Sequence, residues 1–171
     1  KGEGYKIHTK LMLEERGQED RQLHAGVREA LDFGLLQVQE QRSFSLRLSS
    51  PFSQRQPDGL EAGGEEMPKV RYDFIWQLRS ASGGVVPLRS HKPPYLTVSP
   101  TTGVATQDEE TLIQVEYAPQ ETHSLEGMSL RMVIPQLGTG DSSYNLRLTG
   151  SARRPQLEFS TLSHDFGPCF V

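Results

Sequence analysis

The chain has 171 residues, 35% of them hydrophobic, with a mean hydropathy of -0.54 and a net charge of -4. That length suits one domain with flanking segments, and the acidic balance argues against general nucleic-acid binding, which needs a basic surface. No apolar run approaches the roughly 18–20 residues of a membrane span, and Cys169, the lone cysteine, excludes an intrachain disulfide and fits a reducing, cytoplasmic setting.

The chain opens on Lys-Gly-Glu-Gly without an initiator Met and closes inside the apolar "FGPCFV", which predicts a piece of a longer protein. From Tyr5 to Leu13 the residues alternate, with Tyr5, Ile7, Thr9, Leu11 and Leu13 on one side, a strand period. The charged stretch that follows has few large apolar residues and reads as a linker, with a surface helix as the other reading. "RSFSLRL" then aligns Phe44, Leu46 and Leu48. The stretch 49–69, rich in Pro, Gly and acid, reads as a long mobile insertion. "VRYDFIWQL" sets Tyr72, Phe74, Trp76 and Leu78 on one face, with Trp76 expected as a core plug. Leu96 and Val98, Ile113 to Tyr117, Met128 to Ile134, and Tyr144 to Leu148 give four more alternating runs. Turn signals separate them at 82–84, 93–94, 99–103 and 138–141. Short strands with one dry face and frequent turns predict an all-β, immunoglobulin-like sandwich of about seven to eight antiparallel strands.

Asp-Phe-Gly occurs twice, at 32–34 and 165–167. In protein kinases this tripeptide supplies a magnesium-binding aspartate, but the phosphate loop, strand lysine, His-Arg-Asp loop and Ala-Pro-Glu segment are all missing from this sequence. Each copy follows an apolar residue and precedes a strand-like run. Phe33 and Phe166 are therefore expected as buried anchors in the first strand of a sandwich, and Gly34 and Gly167 as points where that strand kinks or bulges. Two such starts, 133 residues apart, predict a tandem array. The expected division is the end of a preceding β domain at 1–13, a linker at 14–28, a sandwich at 29–154, and the start of a following domain at 155–171.

Chemistry finds little support. His8, His24, His91, His123 and His164 lack metal-ligand spacing, and no nucleophile elbow or glycine-rich nucleotide loop occurs. No enzyme activity, metal or cofactor is expected. The one patch of note is "PLRSHKPPY", where Arg89, His91 and Lys92 crowd one loop, either as a solvated turn or as a landing site for an acidic partner.

Four ordered motifs carry a family resemblance: Leu31–Gly34, Val98–Gly103, Val115–Pro119 with Tyr117 in place of Phe, and Leu148–Ala152. Together, over about residues 30–155, they resemble the ASH/MSP-type domains of ciliary and centrosomal proteins, which are related to major sperm protein and PapD-like sandwiches. Pro100 and Gly103 are expected to form a tight turn before a change of sheet, and Pro119 to end a strand. The insertion at 49–69 departs from the family pattern. The resemblance, closest to Hydin-like tandem-repeat proteins, implies a non-enzymatic scaffold of the axonemal central-pair apparatus in the cytoskeleton, needed for ciliary assembly and motility. Its implied partners are neighbouring repeats, other axonemal proteins and microtubules. A second implication is an MSP-like receptor that binds acidic peptides through the basic stretch at Arg89, His91 and Lys92.

Overall fold

Twelve strands stack as two sheets in the computed structural model, which describes residues 8–14, 19–50, 69–137, 143–156 and Gly167. They are β1 (Lys10–Glu14), β2 (Arg21–Leu23), β3 (Arg28–Gln37), β4 (Arg42–Ser49), β5 (Arg71–Arg79), β6 (Val85–Val86), β7 (Leu96–Ser99), β8 (Thr102–Thr106), β9 (Glu110–Tyr117), β10 (His123–Ser124), β11 (Ser129–Val133) and β12 (Tyr144–Arg153). A single 3-10 turn spans Pro135–Leu137. The smaller sheet runs β2-β1-β4-β9-β7. The larger runs β10-β12-β11-β5-β6, with β3 on β12 and β8 on β5. The fold is an all-β, immunoglobulin-like sandwich.

Alternation along each strand builds the core. Leu46 and Leu48 from β4 and Ile113, Val115 and Tyr117 from β9 face Phe74, Trp76 and Leu78 from β5 and Leu130, Leu146 and Leu148 from β11 and β12. All are at most 2% exposed, so water is excluded between the sheets. Each such side chain stabilises the fold by about 1.5–3 kcal/mol relative to exposure.

The strand count exceeds the expected seven to eight because β2, β6 and β10 are two or three residues long, too short to show a period, because β8 begins within the expected 99–103 turn, and because β1 lies in the stretch assigned to a preceding domain. One pairing is also not antiparallel: β3 runs parallel to β12, from Arg28 opposite Asn145 to Gln37 opposite Arg153. The expected boundary at residue 13 is corrected as well. β1 pairs along β4, with Leu11 opposite Leu48 and Leu13 opposite Leu46, and both leucines sit in the shared core. The expected linker 14–28 likewise contributes β2, whose Leu23 is buried in that core opposite Leu11. A stretch with one large apolar residue amid charges is enough when that residue meets a neighbour already in register. Residues 51–68 of the expected insertion, and Phe166 with most of the expected following domain, lie outside the described residues.

The chain changes sheet between Ser99, paired in the smaller sheet, and Thr102, paired in the larger. The Ser99–Pro100 bond there is cis. Thr101 holds the crossing: its hydroxyl donates to the Val98 carbonyl at 2.8 Å, and its carbonyl accepts from Trp76 N–H at 2.8 Å. Gly103, expected in the turn, lies instead within β8 opposite Phe74. A Cβ there would stand 2.7 Å from Phe74 Cζ, so the glycine is required by ring contact rather than by turn geometry.

Candidate protein-interaction face

Three of the four motif segments, Leu31–Gly34, Val115–Pro119 and Leu148–Ala152, meet at one end of the sandwich, while Val98–Gly103 leads away from it to pair Gly103 with Phe74. Phe33 is fully buried, its ring edge-on to Phe44 at 5.0 Å and to Tyr117 at 5.5 Å. Gly34 follows at φ 67°, a left-handed conformation that residues with a Cβ adopt only at a cost. In the β3–β12 ladder Asp32 pairs with Thr149 and Leu35 with Ser151, so Phe33 and Gly34 together oppose Gly150 alone, a β-bulge. Gly150, at φ 140°, lies so close that a Cβ would come 2.8 Å from Phe33 Cβ and 3.2 Å from the Gly34 carbonyl oxygen.

The Asp of the tripeptide has a structural task. Gly34 N–H and the Thr149 hydroxyl each donate to Asp32 Oδ1 at 2.9 Å. Those two bonds, with Arg42 nearby, hold its carboxyl below the ordinary range despite some burial. Gly167, in the second copy, has φ 66°, the same conformation as Gly34.

Tyr117 is fully buried yet its hydroxyl finds a partner. The phenol shares a 3.2 Å hydrogen bond with His123 Nδ1, and the His123 ring is edge-on to Tyr95 at 5.6 Å. Burial, with the neighbouring Tyr95, pushes the Tyr117 phenol up to about 12. Burial also lowers the His123 imidazole, against the pull of Glu121. Pro119 is buried just past β9, and its carbonyl accepts from Gln39 N–H at 2.8 Å.

The basic loop is ordered in its backbone and open in its side chains. Arg89 N–H donates to the Leu96 carbonyl and Tyr95 N–H to the Lys92 carbonyl, each at 2.8 Å, while Arg89, His91 and Lys92 are all exposed. His91 Nδ1 shares a 2.8 Å hydrogen bond with Ser90.

A larger basic surface lies elsewhere. The ladder registers set Ser129 between Arg79 and Arg147, and Arg131 between Gln77 and Asn145, with Arg28 opposite Asn145 on the far side. These residues alternate with the buried Leu78, Leu130, Leu146 and Leu31 and so share the outer face of the larger sheet. Arg79, Arg131, Arg147 and Arg28 therefore form a zigzag over four adjacent strands, about 14 Å wide, with diagonal neighbours about 7–8 Å apart. Among the described residues two acids share this face: Asp32, held as above, and Asp73, which accepts a 2.7 Å bond from Gln136 Nε2. Arg79 Nε and Asn145 Oδ1 are enclosed without a hydrogen-bond partner among the described residues. Arg131 Nη2 donates to Ser143 Oγ at 3.2 Å, whereas Arg28 and Arg147 are exposed, and the face as a whole carries guanidinium groups of the type that pairs with carboxylates.

Sequence reasoning missed this cluster because its members lie on four strands, up to 119 positions apart between Arg28 and Arg147. Only the outward positions of arginines in alternating runs hinted at it. Trp76, expected as a core plug, is 2% exposed within the core. Among the described residues no group of three or more His, Cys, Asp or Glu could hold a metal ion, and no helix is long and apolar enough to cross a membrane.

The molecule is thus an immunoglobulin-like sandwich with an arginine-studded sheet face. No family model matches the chain, and no curated protein matches it. Among solved structures it is similar to the ASH/PapD-like domain of human CEP192 (PapD-like domain 7), at 13% identity and a TM-score of 0.37, over 77% of this chain and 84% of that one.

Proposed function

We propose that this chain is a non-enzymatic protein-interaction module, an ASH/MSP-type sandwich within a Hydin-like repetitive scaffold of the ciliary axoneme, and that it takes an acidic protein surface on the arginine face. The observation that carries the interaction reading is the four-strand zigzag of Arg79, Arg131, Arg147 and Arg28. Fixed on a sheet, these side chains recognise clustered carboxylates with little ordering of the backbone beneath them. Acidic segments of axonemal neighbours, tubulin tails among them, have the matching charge. The ASH/MSP reading draws support from the way the resembling segments interlock, Phe33 beneath Gly150 and against Tyr117. The tandem reading draws on the shared conformation of Gly34 and Gly167.

A second reading, the acidic-peptide receptor at Arg89, His91 and Lys92, is favoured by their exposure on a backbone-pinned loop. Fluorescence anisotropy with a Glu-rich peptide separates the two. The first reading expects Arg131→Glu with Arg147→Glu to abolish binding and Arg89→Glu with Lys92→Glu to leave it. The reverse result favours the loop, and a wild-type chain that ignores the peptide overturns both. A tagged chain that fails to join the axoneme overturns the ciliary assignment.

A further inference from the structure

The two outer faces of the sandwich carry opposite charge. On the smaller sheet, Arg47 sits centrally, and three carboxylates share it: Glu14 at 2.9 Å, Asp20 at 2.6 Å and Glu110 at 3.8 Å. That cluster retains excess negative charge. Glu116, outward on β9 opposite Ser43 and Thr97, adds to it, and Lys10 at the rim offsets one acid. The surface between is flat and hydroxyl-rich, with Ser45 opposite both Glu14 and Gln114. Two apolar side chains flank Arg47 in its own row, the half-buried Met12 and the 59% exposed Leu112. On the larger sheet the arginine zigzag borders an apolar pair, Ile75 opposite Val133, with Val133 two residues from Arg131.

From this complementarity we infer that the occupant of the arginine face is the acidic face of a second copy of this chain. The larger sheet of one copy lies on the smaller sheet of the next, with carboxylates such as Glu110 and Glu116 against the guanidinium groups and Leu112 against Ile75 and Val133. The contact is head-to-tail, so each bound copy still offers one free face of each sign, and the assembly grows as an open stack rather than closing as a dimer. Each face measures about 400 Å² from its strand spacing and rise. Two together bury about 800 Å², below the ~1,200 Å² of a stable complex, so the association is weak and salt-sensitive. The inference rests on the reading of the arginine face as an acid-binding surface and names its partner.

Sedimentation velocity on the full chain, at up to about 1 mM protein and at low and high salt, tests it. Wild type is expected to sediment faster as concentration rises at low salt, and to lose that rise at high salt. Arg131→Glu with Arg147→Glu should remain monomeric because the zigzag then carries two charges of each sign, and so should Glu110→Lys with Glu116→Lys, whose two faces are then both basic. Mixed in equal amounts, the two variants should associate again. A wild-type chain that stays monomeric, a reversed variant that associates like wild type, or a mixture that stays monomeric while circular dichroism shows both variants folded overturns the inference. Glu-rich peptide titrated into the same samples tells the two failures apart. Peptide binding without self-association sinks only the second-copy partner, whereas loss of both sinks the acid-binding face.

Discussion

Replacing Gly150 by Ala puts the bulge between β3 and β12 under direct load. The new Cβ would stand 2.8 Å from Phe33 Cβ and 3.2 Å from the Gly34 carbonyl oxygen, so it meets backbone and a fully buried residue rather than a side-chain tip. Its φ of 140° also lies where side chains are rarely tolerated. The conformational term costs about 1–3 kcal/mol and the overpacking about 1–3 kcal/mol, so a loss of about 3–5 kcal/mol is expected, a large share of a domain's 5–15 kcal/mol. Gly34→Ala differs in kind. Its Cβ meets only Arg42 Nη1, at 2.9 Å, the far end of a flexible chain, which leaves a left-handed φ worth about 1 kcal/mol. Gly103→Ala falls between them, with an ordinary φ but Phe74 at 2.7 Å. Urea unfolding with unchanged m-values should rank the losses as Gly150, then Gly103, then Gly34, and the first variant's melting point should fall by roughly 10 °C. If Gly150→Ala costs under about 1 kcal/mol, or less than Gly34→Ala, the bulge does not work as described.

Phe33→Ala should lose about 3–5 kcal/mol in the same assay, because the ring is fully enclosed and makes edge contacts with Phe44 and Tyr117. Arg147→Glu, at an exposed position on an outer face, should leave stability within about 0.5 kcal/mol, which keeps the binding tests interpretable. Burial lowers the His123 pKa in the folded state, so the unfolded chain binds more protons below about 6.5 and stability should decline as pH falls through that value. His123→Gln should flatten that decline in thermal melts taken across pH 7 to 5, and an equally steep decline would remove His123 as its source. Tyr117 titrates at about 12 in the fold and near 10 when unfolded, so stability should fall as pH rises from about 10 towards 12. Phenolate absorbance should then appear together with loss of the β signal, whereas phenolate formation well ahead of unfolding would contradict the buried hydroxyl.

The long alternating runs were legible because a sheet with one dry face writes a period of two into its sequence, as in Tyr72, Phe74, Trp76 and Leu78. Phe33 and Gly34 could be read as anchor and bulge from type and order alone. Four things were not legible. β2 and β10 are too short to carry a period, and they exist because a formed neighbour offers Leu23 and His123 a register. The parallel union of β3 and β12 joins distant segments, and nothing local announces direction. Gly103 looked like a turn glycine beside Pro100, and only the Phe74 ring shows why it has no side chain. The arginine zigzag was hidden for the same reason as the parallel pair: neighbours across a sheet are strangers along the chain.

The union of β3 with β12 also constrains when this molecule can become itself. Asp32 and Thr149, which hydrogen-bond across it, are 117 residues apart, so the first long strand waits for nearly all of the domain to be synthesised before it has a partner. A ribosome adding about 5–20 residues per second leaves that edge and Phe33 uncovered for several seconds at least. Completion is thus an event of the finished domain, set by the closure of a very long loop. Cells that make this protein have to shelter a bare phenylalanine until Gly150 arrives to cover it.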